Sequence, residues 1–112
     1  MQVRAVSKDV GLSPRKVALV MDAVRGKHVH EALAVLRFIP TPGARALAKT
    51  IKSAAANAEN NFQMLPSDLK IVGLFAEKGH FAKRFRPQAR GRVAPLLRRA
   101  CHIHVVVAGE EA

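Results

Sequence analysis

The densest charge in the 112-residue chain lies in the segment 81–99, FAKRFRPQARGRVAPLLRR. This segment has no acidic side chain, and its basic residues are Lys83, Arg84, Arg86, Arg90, Arg92, Arg98 and Arg99. Arg and Lys neutralise phosphates, and the planar Arg guanidinium also offers paired N–H donors that match phosphate oxygens. Because Phe, Val and Leu residues lie between these cations, the segment is typical of a structured probe rather than of a disordered basic tail.

Charge over the whole chain points in the same direction. Lys and Arg number 19 against 8 Asp and Glu, which gives a net charge of +11 at pH 7. Segment 81–99 contributes +7 of this charge, residues 1–80 contribute +6 and residues 100–112 contribute −2. A net charge of this size repels itself within a folded domain, so it predicts a polyanionic partner, of which nucleic acid is the most abundant.

Residue types that perform catalysis or bind metals are present, but their spacing favours neither role. His102 and His104 would share one face of a strand, as some metal-ligand pairs do, yet the sequence places no third ligand near them. Cys101 would point to the opposite face and is predicted to be a small core residue. Glu59 lacks a partner for acid–base catalysis. We therefore expect no enzyme, no metal site and no cofactor.

Targeting and redox signals are equally sparse. Cys101 is the only cysteine, so no disulfide can form within the chain, which fits a reducing compartment. No long apolar stretch follows Met1, so we expect no signal peptide, and no apolar run approaches the roughly 18 residues that a membrane helix needs. These features predict a cytoplasmic protein without a membrane partner.

Three helices are predicted in the first half of the chain, and the first lies in LSPRKVALVMDAVRG. Ser13 is its predicted N-cap, Pro14 lies in its first turn and Gly26 follows its last turn. Its apolar face comprises Val17, Val20, Met21 and Val24. Arg15 and Lys16 lie in the first turn, where the helix dipole disfavours cations, so they indicate either an external anion or two solvated side chains.

The second helix is predicted over about Val29 to Phe38, before Pro40, and the third begins after an N-cap at Thr41. The predicted core stripe of the third helix is Leu47, Ile51, Ala55, Ala58 and Phe62. Its small residues at 53–58 let another backbone approach closely, either a neighbouring strand or RNA, and close packing within the protein is the favoured interpretation.

Period-two alternation predicts strands in the remainder of the chain. Residues 2–8 form an edge strand, and residues near 69–79 pair antiparallel with 101–107. The predicted opposite pairs are Ile71 with Val107, Gly73 with Val105 and Phe75 with Ile103. Residues 80–99 continue this hairpin about 30 Å beyond the core, with a turn near residue 89. The predicted fold is α+β, with three helices on a small antiparallel sheet. It forms a single domain 1–112, whose globular body is about 1–79 plus 100–108.

A basic protein of this size could also bind DNA. The first two helices could form a helix-turn-helix, but the second offers few polar side chains to a major groove: His30, Glu31 and Arg37. Since the charge is concentrated in the hairpin, folded RNA, which is recognised by its shape and phosphates, fits better. Sequence-tolerant DNA binding and binding to another kind of RNA remain the alternatives.

Four segments in a fixed order resemble a known family: SPRKVALVMDAVRGKHVHEAL, SAAANAENN, KRFRPQARGR and HIHVVV. Together they resemble the ribosomal protein L twenty-two family of the bacterial large subunit over about residues 4–107. The resemblance implies an α+β fold with three helices, a small sheet and a long hairpin. It also implies binding to large-subunit ribosomal RNA, a part in subunit assembly, and a hairpin that lines the peptide exit tunnel near ribosomal protein L four.

For this chain, the resemblance implies two groups of functional residues. The RNA-binding residues of the body are Ser13, Arg15, Lys16, Arg25 and Lys27, and the seven cations of segment 81–99 join them. The tunnel-lining hairpin tip comprises Arg84, Pro87, Gln88, Ala89, Arg90, Gly91 and Arg92. The implied partners are ribosomal RNA, neighbouring ribosomal proteins and the nascent polypeptide, with no homo-oligomer. Pro95 departs from the family pattern, and since proline cannot donate to a strand ladder, it predicts a bulge or an unpaired stretch.

Overall fold

Helical and alternating segments of the sequence fold into three helices and five strands in the computed structural model, which describes residues 2–109. The helices are α1 (Pro14–Val24), α2 (Val29–Arg37) and α3 (Pro42–Phe62). The strands are β1 (Gln2–Val10), β2 (Lys70–Lys78), β3 (Ala82–Pro87), β4 (Val93–Arg98) and β5 (Cys101–Ala108). The predicted α+β class is confirmed, and the C-terminal residues Glu110, Glu111 and Ala112 lie outside the described part of the chain.

Three of the strands form an antiparallel sheet in the order β1–β5–β2. Helix α1 packs on β2, α3 packs on β1 and β5, and α2 packs on α3. Strands β3 and β4 pair with each other in a separate sheet, here called the ribbon. The chain measures 66 × 26 × 16 Å and has a radius of gyration of 17.1 Å, against about 13 Å for a compact domain of this length. A ribbon that projects from a compact body accounts for this elongation.

Helix α1 buries the predicted apolar face in full: Val17, Val20, Met21 and Val24. Pro14 is its first residue, and Gly26, with φ of 81°, follows its end in the left-handed conformation that terminates many helices. Ser13 occupies the N-cap position, but its hydroxyl accepts no hydrogen bond from the first turn, so the predicted side-chain cap is absent. The backbone carbonyl of Ser13 instead accepts from the amides of Lys16 and Val17.

Helix α3 begins as predicted, since the Thr41 hydroxyl accepts a hydrogen bond of 3.3 Å from the Ala44 amide. Its core stripe differs in part from the prediction: Leu47, Ile51 and Ala58 are fully buried, but Ala55 is half-buried and Phe62 is exposed. Steps of four residues advance about 40° around a helix, so a stripe stays on one face only when steps of three and four alternate. From Leu47, steps of four, three and four residues reach Ile51, Ala54 and Ala58, and Ala54 is fully buried. Neither α3, with 21 residues, nor any other helix within residues 2–109 is both long and apolar enough to cross a membrane.

A bulge in β2 overturns part of the predicted strand register. Ile71 lies opposite Val107 as predicted, but the register then shifts, so that Gly73 faces Val106 and Phe75 faces His104. The inward residue is therefore Leu74, whereas the Phe75 side chain is 47% exposed and its ring lies 5.3 Å from that of His104. A glycine within a strand often marks a bulge, and a Cβ at Gly73 would lie 3.4 Å from the Cβ of Val106.

The two histidines of β5 each contact a neighbouring strand. His102 Nδ1 accepts a hydrogen bond of 3.0 Å from the Asp9 amide, and His104 Nε2 lies 2.8 Å from Glu77 Oε1. Within residues 2–109, no three His, Cys, Asp or Glu side chains are grouped to bind a metal ion. Cys101 is fully buried, as predicted for a core residue, and burial raises the pKa of its thiol.

The contact between His104 and Glu77 gives the sheet an acid-sensitive element. This hydrogen bond lowers the pKa of the Glu77 carboxyl from its ordinary value of 4.5. A carboxyl with a lower pKa in the folded state stabilises the protein above its unfolded pKa and loses that effect as pH falls through the folded pKa. We therefore expect Glu77→Gln to be slightly destabilising near neutral pH and without effect in acid below that pKa. Urea unfolding of the parent and of Glu77→Gln, from neutral pH into acid, measures the difference in their free energies of unfolding. If that difference does not change with pH, the substitution acts through packing.

Candidate nucleic-acid interface

The ribbon has a regular ladder that a tight turn closes. Its register runs without a shift from Ala82 opposite Arg98 to Pro87 opposite Val93. The Gln88 amide then donates a hydrogen bond of 2.6 Å to the Arg92 carbonyl. The centre of the turn is Arg90, one residue beyond the predicted position. Residues 82–98 are thus held in one defined two-stranded arrangement, and the tip lies at 88–92.

Pro95 does not disrupt this ladder, so the predicted bulge or unpaired stretch is wrong. It lies opposite Phe85 with no change of register on either side. The bond between Gln88 and Arg92 fixes the even-numbered pairs as the hydrogen-bonded ones, because the two kinds of pair alternate along an antiparallel ladder. Pro87 and Pro95 both belong to the other kind, whose N–H groups point away from the partner strand. In a ribbon of only two strands, proline at such a position removes no ladder bond.

The register places most cations of the ribbon on one face and most of its large apolar side chains on the other. Alternate residues of a strand point to opposite faces, and residues paired across a ladder share a face. The first face, here called the basic face, carries Arg84, Arg86 and Arg98, with the half-buried Leu96 opposite Arg84. The opposite face, here called the apolar face, carries the large side chains of Phe85, Val93 and Leu97, which are 69%, 60% and 48% exposed. Lys83 is the cation on the apolar face.

The turn holds an arginine in an unfavourable backbone conformation. Arg90 has φ of 61° and Gly91 has φ of 73°, both in the left-handed region. Glycine adopts this region without cost, but a side chain such as that of Arg90 costs about 1 kcal/mol or more there. Gly or Asn would fit position 90 with less strain, so the arginine is consistent with a contact that needs its charge.

The predicted tip residues are all exposed, but one of them lies away from the tip. Pro87, Gln88, Ala89, Arg90, Gly91 and Arg92 form the turn and its approaches. Arg84 lies within β3, about 13 Å back along the strand from Gln88 at the usual rise per residue. It belongs with the basic face of the ribbon rather than with the turn.

The predicted RNA-binding residues of the body do not form one cluster. Ser13, Arg15 and Lys16 lie at the N-terminal end of α1, whereas Arg25 and Lys27 follow its other end, about 15 Å away. Arg25 also has a structural role, since its Nη1 lies 2.6 Å from Asp22 Oδ1. Its Nη2 donates a hydrogen bond of 3.1 Å to the Leu74 carbonyl and so ties α1 to β2.

The N-terminal end of α1 adjoins the base of the ribbon. A cleft at this junction is lined by Pro14, Lys78, Gly79, Phe81, Leu97, Arg99 and Ala100. The Gly79 amide donates a hydrogen bond of 3.0 Å to the Ala100 carbonyl at the same place, where the ladder of the main sheet ends. The first residue of α1, Pro14, and the cation Arg99 therefore line the same cleft, although they are far apart in the sequence.

A further group of cations was not assigned from the sequence. Arg37, Arg45, Lys49 and Lys52 are exposed and line a groove between α2 and α3. The 4- and 3-residue spacing of the last three along α3 was the signal that could have revealed them, because such residues share a helix face. Their charges are scattered along the sequence, so they are less conspicuous than those of the ribbon.

A family model and several known proteins match almost the whole chain. The model of the family described as ribosomal protein L22p/L17e matches residues 5–108. A relative from Dehalococcoides mccartyi, named large ribosomal subunit protein uL22, is 58% identical over 108 residues, which cover 96% of this chain and 99% of the relative. Relatives of the same name from Roseiflexus castenholzii and Clostridium novyi are 51% and 46% identical. The alignments cover 99% of both chains for the first and 96% of both chains for the second.

Proposed function

The chain belongs to the ribosomal protein L22p/L17e family, and on that premise we propose that it is a structural constituent of the large ribosomal subunit. In this proposal it binds large-subunit ribosomal RNA, aids subunit assembly and lines the peptide exit tunnel with its ribbon. The observation that carries the proposal is the ribbon itself, which projects from the body and has a basic face, an exposed apolar face and no acidic residue. Arginines on one face can bind RNA phosphates while the turn remains accessible to other partners.

We propose different roles for the body, which contains the main sheet, and for the ribbon. The body, about 1–79 plus 100–108, would dock on ribosomal RNA through Ser13, Arg15, Lys16, Arg25 and Lys27. The ribbon, within 80–99, would extend between RNA segments and present its tip to the nascent polypeptide and to ribosomal protein L four. We propose a single copy of the chain in each cytoplasmic ribosome, with no membrane partner.

We propose no catalytic activity, because Cys101, His102 and His104 are already engaged in the fold. Cys101 is buried in the core with a raised pKa, which disfavours the reactive thiolate. His102 and His104 make the hydrogen bonds that join β5 to β1 and β2.

A photo-cross-linking residue at the ribbon tip tests this function. Gln88, at the tip, and Ser67, in an exposed turn before β2, are suitable positions for the probe and its control. Each protein is expressed with a tag in a bacterium, and ribosomal particles are separated on a sucrose gradient. We expect both proteins to sediment with the large subunit, and only the Gln88 position to cross-link to a stalled nascent chain.

Two results would contradict the proposal. Protein that stays at the top of the gradient would contradict ribosome association, and it would favour a DNA-binding function if it also cross-links mainly to DNA. Equal nascent-chain cross-linking from both positions would leave ribosome association intact but remove the tunnel role of the ribbon.

A further inference from the structure

The groove between α2 and α3 shares no lining residue with the cleft at the base of the ribbon. Its floor is apolar and includes Leu36, Ile39 and Ala48. Its remaining lining residues are Pro40, Ala44 and the four cations Arg37, Arg45, Lys49 and Lys52. No acidic residue is among the lining residues, so the groove is a positively charged channel over an apolar floor.

The arrangement of charge in the groove does not stabilise the free protein. Among residues 2–109, the basic side chains that contact an acidic one are Arg25, with Asp22, and His104, with Glu77, and neither contact involves a cation of the groove. Arg45, Lys49 and Lys52 follow each other at intervals of four and three residues, and like charges at these spacings destabilise a helix. Cations placed together at a cost to the helix indicate an anionic partner outside the protein.

A large aromatic side chain lies beside the groove. Phe38 is 86% exposed, the highest exposure among the large apolar side chains of the described chain. It follows Arg37 and precedes Ile39, both of which line the groove. Folding leaves this ring in water, whereas an exposed aromatic ring next to basic residues is the usual platform on which proteins stack an unpaired base of single-stranded RNA.

We propose that this groove binds an unpaired segment of RNA, with its phosphates along Arg45, Lys49 and Lys52 and one base stacked on Phe38. This inference rests on the proposed function, because it places a second RNA contact on the same ribosomal protein. An unpaired segment fits better than a duplex, because bases within a duplex are stacked on each other and cannot cover the ring. The groove would hold the body on the RNA independently of the ribbon.

The first test removes the charge of the groove. Arg45, Lys49 and Lys52 are changed together to Gln in the full chain, and binding to a large-subunit ribosomal RNA transcript is titrated at several salt concentrations. Each phosphate contact contributes about 0.7–0.9 to the slope of log affinity against log salt, so the slope should fall by about 2–2.7. The matched control changes Arg4, Lys8 and Lys70 to Gln, which removes the same charge from exposed positions in the main sheet. An equal fall in both variants would overturn the groove as a specific site.

The second test separates stacking from charge. Phe38→Ala should weaken binding by about 5- to 150-fold, the range for loss of one stacked base, without changing the salt slope, and Phe38→Trp should preserve the affinity. A single-stranded oligoribonucleotide should compete for this contribution and a duplex of equal length should not. Full affinity of Phe38→Ala, or equal competition by the duplex, would overturn the proposed ligand. If the parent protein does not bind the ribosomal transcript at all, the proposed function fails rather than the groove alone.

Discussion

Replacing Arg84, Arg86 and Arg98 together with Gln is expected to flatten the salt dependence of RNA binding by about 2–2.7 slope units. All three side chains lie on the basic face of the ribbon, and each can neutralise one phosphate. The loss should be similar on different RNA sequences, because contacts to phosphates carry no base information. Binding of the purified full-length protein to ribosomal RNA transcripts at a series of salt concentrations measures the slope.

Two matched variants show whether the salt dependence of RNA binding comes from the basic face or from the overall composition of the ribbon. Lys at the same three positions keeps the charge but not the paired guanidinium donors, so the slope should remain while the affinity falls. Ser at Phe85, Val93 and Leu97 alters the apolar face, so the slope should again remain. An unchanged slope in the Gln variant would show that the basic face does not contact phosphates.

Removing the ribbon is expected to abolish tunnel contacts while leaving the body folded. Residues 80–99 are replaced by Asn-Gly, a two-residue turn that suits a hairpin closed by the hydrogen bond between Gly79 and Ala100. The large side chains of the ribbon are mostly exposed, so the free energy of unfolding should remain within about 1 kcal/mol of that of the parent. Shortening the connection itself changes the closure entropy little. The loss of seven cations should lower the salt slope of RNA binding by about 5–6.

Thermal unfolding and incorporation into large subunits are measured on the same truncated protein. The cations of the body remain, so we expect incorporation to continue while the nascent chain no longer cross-links to this protein. The full-length Gln variant of the basic face is the control, since it changes the charge without shortening the chain. A truncated body that does not fold, or that folds but is not incorporated, would contradict the division between body and ribbon.

The sequence predicted the elements that follow from local periodicity. The buried face of α1 and the Thr41 cap of α3 were both correct, because side chains within one helix settle them. Phe75 was placed on the wrong face, because the bulge near Gly73 depends on how closely a neighbouring strand approaches. Gly73 interrupts the alternating pattern, and it was the available signal for that bulge.

The candidate interface was predictable in composition but not in arrangement. The cations of the ribbon are evident in the sequence, yet their separation from Phe85, Val93 and Leu97 depends on the pairing register across the turn. A turn centred between Ala89 and Arg90 would oppose even- with odd-numbered positions and mix the two faces. The groove cations Arg45 and Lys49 become a site only when α2 packs beside α3, which no local pattern specifies.

The positions of Pro87 and Pro95 also affect how the protein behaves before it meets its partner. Their missing N–H groups fall on the outer edges of the ribbon, one proline on each strand. An unpaired strand edge is a template for another chain, and a long hydrogen-bonded edge beside exposed Phe and Leu side chains would invite intermolecular β-sheet. Each edge here is interrupted by a proline and surrounded by positive charge. A newly made copy can therefore expose an apolar surface in a crowded cell and still resist aggregation.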